Sequence, residues 1–160
     1  FEAYLLEVLS DYQITIPEVG TIKAENPPIT IITSNRTREI HDALKRRCFY
    51  HWVDYPNAER EHEIIQSRLP GVDERLSRMI VDFVQELRKK DLFKLPGVAE
   101  TLDWTRALTT LDVLVLTPEV IHDTLGTLLK YQDDIAKIQG SEAANILREI
   151  TLKAQAAGRG

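Results

Sequence analysis

Cysteine is nearly absent: 160 residues contain one, Cys48, so no internal disulfide can form. That scarcity suits a reducing cytoplasm, and a lone thiol opening an apolar run reads as buried and inert rather than nucleophilic. No uninterrupted apolar run approaches the roughly 20 residues that cross a bilayer, and nothing resembles a signal sequence. Positive charge is not in excess. The net charge is −5 with acids and bases interspersed, which argues against a general grip on nucleic acid. Metal-ligand spacing is missing too. His62-Glu-Ile-Ile-Gln66 breaks the H-E-x-x-H pattern at its last residue, and His41, His51 and His122 are scattered, so no metal site is expected. No serine sits in a G-x-S-x-G elbow, and no G-x-x-x-x-G-K-[ST] loop cradles a phosphate. Internal repeats and low-complexity segments are likewise lacking.

What the chain has is core material: 43% hydrophobic residues, enough to bury one domain or two small ones. It opens at Phe1 inside an amphipathic pattern (Leu5, Leu6, Val8, Leu9) with no capping residue ahead, which reads as a piece of a longer chain. Elements alternate at first. A helix over about 2–11 is followed by two strand-like pieces, Gln13–Ile16 and Thr21–Ala24, joined by the turn signal Pro17-Glu-Val-Gly20. After Asn26-Pro-Pro28 come an apolar strand at 29–33, a helix over about 37–46 and a strand at 48–53. From Pro56 everything reads as helix. Asn57 and Asp73 are N-cap residues for helices ending before Pro70-Gly71 and carrying Ile80, Phe83, Val84 and Leu87 at helical spacing. Pro96-Gly97 precedes a helix marked by Leu102, Trp104, Leu108 and Leu111. Thr117-Pro118-Glu119 is a strong start signal for a helix expected to reach about Gln139. A last helix is expected over Ala143–Ala157, with Gly158–Gly160 frayed. The expected domains are 1–55, a partial α/β layer with part of a parallel sheet; 56–139, all helical; and 140–160, a helical tail. The chain is mostly α overall.

The densest information lies in Ile29–Cys48. Strand, polar tip (Ser34-Asn35), helix, paired arginines (Arg46-Arg47), strand: this is how a parallel-sheet nucleotide-binding domain presents residues to a phosphate, since such sheets bind ligands at strand tips. The order of segments resembles the AAA+ ATPases, and within them the MoxR-type branch, over about residues 1–138. Ile31-Ile-Thr-Ser-Asn35 resembles the sensor-1 strand and Ala43-Leu-Lys-Arg-Arg-Cys48 the arginine-finger segment. Tyr55-Pro-Asn-Ala-Glu59 resembles the entry to the helical lid, and Leu95–Leu108, with Asp103-Trp-Thr-Arg106, the sensor-2 helix. The Arg-Arg-Cys step and His51-Trp-Val-Asp-Tyr-Pro56 are similar to the subgroup linked to carbon monoxide dehydrogenase maturation. The Gln13–Ala24 hairpin resembles an insertion that many members carry.

The resemblance implies ATP hydrolysis with Mg2+ in a full-length ring of identical subunits, expected as a hexamer. Walker A and Walker B would lie upstream of Phe1, so this chain alone is expected to be inactive. A chaperone-like remodelling role, or metal-cofactor maturation of a client protein, is implied as well. By resemblance Asn35 would contact ATP and orient the attacking water, although Ser34 or Asn35 can equally cap the next helix. Arg46 or Arg47 would be the finger acting on a neighbouring subunit's nucleotide. Both also fit a solvated helix C-terminus favoured by the dipole. Relatives often carry an acid just before the finger, where this chain has Lys45, so both arginines stand. Arg106 would be sensor 2, contacting the chain's own nucleotide, against the plainer reading of a solvated face. Trp104 reads as core. The rival class is a non-catalytic helical protein-interaction module derived from such a domain; a helix-turn-helix fails because no single helix gathers the basic residues.

Overall fold

The computed structural model describes residues 2–35, 40–156 and 158. It is mostly helical, with one two-stranded antiparallel sheet among the described residues, and it divides into two compact units, Phe1–Val53 and Asp54–Gly160.

In the first unit, α1 (Glu2–Asp11) leads through Tyr12, at φ +53°, into the hairpin β1 (Gln13–Ile16) and β2 (Gly20–Lys23). Gly20, at φ +101°, opens β2 with a backbone that other residues rarely adopt. Ile14 faces Ile22 and Thr15 faces Thr21 in the register. The Glu7 carboxylate of α1 accepts from Thr15 N (3.0 Å), Thr15 Oγ1 (2.5 Å) and Gln13 Nε2 (3.0 Å). These bonds hold the Glu7 carboxyl below its usual range. Alternation along a strand then decides the rest. The polar face of the hairpin meets Glu7, and Ile14, Ile16 and Ile22 are exposed.

The expected parallel strands at 29–33 and 48–53 do not form; both segments are irregular, and Ile29 is 96% exposed. A parallel strand needs a neighbour for its N–H and C=O groups and a crossover of a dozen or more residues, usually helical. Here the described helix between them, α2 (Asp42–Lys45), is one turn, roughly 6 Å long against a strand of roughly 17 Å. The start of the helix expected at 37–46 lies outside the described residues. Within α2, His41 Nδ1 accepts from Ala43 N at 3.2 Å and Leu44 is buried. Without a strand to enclose it, Cys48 is only half-buried, where burial was expected.

The second unit is a helical module whose starts follow local chemistry. Asn57 Oδ1 accepts from Arg60 N (2.9 Å) to open α3 (Ala58–Arg68), and Asp73 Oδ1 accepts from Leu76 N (2.8 Å) to open α4 (Glu74–Leu87). At α5 (Val98–Thr110), Gly97 N donates to Glu100 Oε2 at 3.0 Å. Thr117 caps α6 (Pro118–Leu128), with Pro118 in the first position. That helix was expected to continue to Gln139. Instead it stops at Leu129, whose backbone is extended, and α7 (Gln132–Ile138) begins after Tyr131. Lys130 Nζ donates to the carbonyls of Gly126 (3.2 Å) and Thr127 (2.6 Å), which the last turn leaves unpaired. Leu128 and Leu129 are both buried, and buried Asp134 accepts from Phe93 N (2.8 Å) and Lys94 N (3.1 Å). The helix yields because those tertiary partners outweigh one more turn.

Finally α8 (Ser141–Ala156) places Ala143, Ile146, Leu147 and Ile150 into the same core as Ile65, Phe83, Leu108 and Leu125. At its ends, Glu142 pairs with Lys90 (2.7 Å) and Lys153 with Glu86 (2.6 Å). The residues expected as a helical tail form a core helix of the second unit. Trp104 is fully buried, its ring 5.5 Å from Phe83 and its Nε1 donating to Thr124 Oγ1 at 2.8 Å.

Candidate functional site

Asn35 lies exposed in the irregular stretch after Thr33. A helix capped by it would start outside the described residues. Arg46 and Arg47 stand together where α2 ends, yet they differ in employment. Arg47 Nε donates to Ser10 Oγ on α1 at 2.7 Å and its Nη1 to Ala43 O at 2.9 Å, so two of its five N–H donors tie it to α1 and to its own helix. Arg46 is exposed, its backbone N–H bonded to Asp42 O, and its guanidinium has no partner among the described residues. Arg46 is thus the less engaged of the two exposed arginines.

Arg106 belongs to the second unit. It projects from α5 with its side chain 62% exposed and, among the described residues, pairs only with Asp103, at 3.0 Å. An exposed i,i+3 pair of this kind is worth a few tenths of a kcal/mol, so the guanidinium is available to a stronger anion at little cost. Trp104, two residues earlier, is core and offers no face for stacking. The first unit thus carries Asn35, Arg46 and Arg47, and the second carries Arg106.

Two other constellations were not anticipated. Ser77, fully buried, gives its proton to Glu74 O (3.0 Å) and accepts from Gln66 Nε2 (2.9 Å), with His62 Nδ1 at 3.0 Å. A hydroxyl so committed is no nucleophile. Gln66, which broke the zinc pattern, is a Ser77 donor. Burial, aided by the Arg78 cation, pushes the His62 imidazole below its ordinary pKa.

The second constellation is ionic. Glu61, with no exposed surface, faces Arg88, whose side chain is 6% exposed, in a bidentate pair: Nη1 to Oε2 at 2.6 Å and Nη2 to Oε1 at 2.7 Å. Its signal was present as a misfit. Glu61 precedes Ile65 by one helical repeat and Arg88 follows Ile80 and Val84 by the same step, so both charges occupy apolar-stripe positions.

A groove of about 950 Å³ lies along α4 and α8, bordered by Asp73, Glu74, Arg78, Met79, Lys89 and Lys153 among others. None of Asn35, Arg46, Arg47 or Arg106 lines it, and three of its four cations are held by its own acids, Arg78 by Glu74 and Lys89 and Lys153 by Glu86; the fourth is Arg75. Among the described residues no group of three or more His, Cys, Asp or Glu side chains could hold a metal ion, and no helix is long and apolar enough to cross a membrane.

Comparison with protein-family models, curated proteins and solved structures gives no match for this chain.

Proposed function

We propose that this chain is the C-terminal part of a MoxR-type AAA+ ATPase, supplying sensor 1, the arginine finger and sensor 2 to a ring of identical subunits that remodels or matures a client protein. The observation that carries the reading is the order of four motif segments, Ile31–Asn35, Ala43–Cys48, Tyr55–Glu59 and Leu95–Leu108. Support also comes from charge. Arg46 and Arg106 are exposed cations, one without a described partner and one in a weak pair. A guanidinium of this kind suits a phosphate whose charge grows in the transition state. The fit to ATP and Mg2+ is partial: the chain offers cations and the Asn35 amide but no glycine cradle and no metal-ligand cluster among its described residues. ATP would be held chiefly by residues outside this chain, with Asn35 and Arg106 contacting it. In that site Asn35 orients water, Arg46 or the adjacent Arg47 meets the neighbouring subunit's phosphate, and Arg106 reports the state of the chain's own nucleotide.

One observation favours a rival. The segments expected to build the nucleotide-binding sheet, 29–33 and 48–53, join no sheet and are largely exposed, as suits a non-catalytic helical interaction module. Steady-state ATP hydrolysis by the full-length protein across a concentration series separates the two. Turnover per subunit that rises with concentration is the expected result, because a finger acting in trans needs a neighbour. Arg46→Ala and Arg106→Ala should each lower turnover by about 10²-fold or more, and mixing with wild type should partly rescue Arg46→Ala. Absence of turnover at every concentration, with no Walker residues upstream, would leave the interaction module as the account.

A further inference from the structure

We propose that Glu61 and Arg88 are positioning residues, holding α5 in one register against the chain that enters the helical unit and so fixing where Arg106 projects. The catalytic consequence rests on the sensor reading of Arg106 above; the register claim stands on geometry alone.

Every acceptor site of the Glu61 carboxylate is used. Oε1 takes Arg88 Nη2 (2.7 Å) and Thr101 Oγ1 (2.9 Å), and Oε2 takes Arg88 Nη1 (2.6 Å) and Gln85 Nε2 (2.9 Å). Arg88 is equally committed. Its Nε donates to Pro96 O at 2.9 Å, and its guanidinium lies 4.6 Å from the centre of the Tyr55 ring. Around this pair five pieces of chain converge. Tyr55 and Pro56 come from the entry, Pro56 through its carbonyl, which accepts from Gln85 Nε2 at 3.0 Å. Glu61 comes from α3, Gln85 and Arg88 from the end of α4, Leu95 to Gly97 from the loop ahead of α5, and Thr101 from α5 itself. Tyr55 Oη reaches Leu95 O at 3.5 Å, and Thr101 Oγ1 also lies 3.1 Å from Gly97 O.

An ion pair in a core is rarely there for stability, since well-packed apolar residues do as well or better. Its distinctive property is directional. The planar fork and the filled carboxylate admit one arrangement, whereas apolar side chains accept small slides at little cost. A shift of α5 would leave a buried charge short of a partner. Thr101 and Arg106 share one rigid helix about 7.5 Å apart along its axis, so fixing the first fixes the second. The loop before α5 gives the same helix a second point of attachment through Pro96 O.

The test separates register from stability. In a Cys48→Ser background, nitroxides at Ser67→Cys on α3 and Thr110→Cys on α5 report the interhelical distance distribution. The paired replacement Glu61→Leu with Arg88→Met should melt cooperatively near the wild-type temperature yet broaden that distribution. In the full-length protein it should lower ATP turnover about tenfold through misplacement, with Arg106→Ala costing a correspondingly smaller factor in that background than in wild type. A folded paired variant with the wild-type width overturns the proposal. If the pair does not fold, Thr101→Val, which deletes the bond from α5 to Glu61 and the local contact with Gly97 O, decides by the same width. Should the wild-type protein prove indifferent to Arg106→Ala, the sensor reading falls while the distance distribution still judges the register.

Discussion

Removing the indole of Trp104 tests whether the helical unit is packed as described. Trp104→Phe leaves a void of roughly 40 Å³, about 1 kcal/mol at about 24 cal/mol per Å³. Loss of buried apolar surface adds about 1 kcal/mol, and loss of the bond from Nε1 to Thr124 Oγ1 about 1 kcal/mol more. Thr124 itself is not orphaned, because its hydroxyl still donates to Val120 O at 2.6 Å. Thr124→Val acts differently. It keeps the shape but strands a buried N–H, costing about 2 kcal/mol. In the double variant both polar partners are gone and only the void remains, so the cost should be about 2 to 3 kcal/mol rather than the sum of about 5. At about 4 °C per kcal/mol for a unit of this size, melting should fall by about 12 °C, about 8 °C and about 10 °C respectively. Far-UV circular dichroism on the intact chain, cross-checked by urea, is the assay; intrinsic fluorescence is ambiguous because Trp52 also emits. Additive losses would refute the Trp104–Thr124 bond. A Trp104→Phe loss of only a degree or two would refute the burial itself.

Polar groups in the same unit give two further predictions. His62 is held below its ordinary pKa by burial and by Arg78, so between its folded and unfolded values the unfolded chain binds more protons, and stability should rise with pH. The gain is complete above the ordinary value of 6.5 and is lost as pH falls below it; urea midpoints from pH 5.5 to 7.5 should show that slope in wild type and a flatter one in His62→Gln, and equal slopes would refute it. Asp134→Ala should cost about 2 to 3 kcal/mol by leaving two loop N–H groups unpaired, with amide exchange at Phe93 and Lys94 accelerated beyond their neighbours; unchanged exchange there would show that Asp134 does not hold the loop.

What could be read from the sequence was local, and what could not depended on distant partners. Asn57, Asp73 and Thr117 each open a helix through a side-chain oxygen accepting from a backbone N–H three residues on, and that information is complete within one turn. The break after Leu128 was illegible because Asp134 answers N–H groups 40 and 41 residues away. The 29–33 and 48–53 segments have strand composition, but composition is not pairing: β-propensity describes fitness for a pleated, half-buried surface, and neither segment joins a sheet among the described residues. The same contrast runs through the candidate site. Adjacent Arg46 and Arg47 are alike in residue type, and their difference in anchoring, through Ser10 37 positions earlier and Ala43 O, was not legible in the sequence. Arg47 is anchored through Nε and one Nη1 hydrogen, which leaves other N–H donors able to meet a phosphate without breaking either bond. The two are therefore unequal in anchoring and not in chemistry: Arg47 holds α2 against α1, Arg46 does not, and both keep guanidinium donors for an anion.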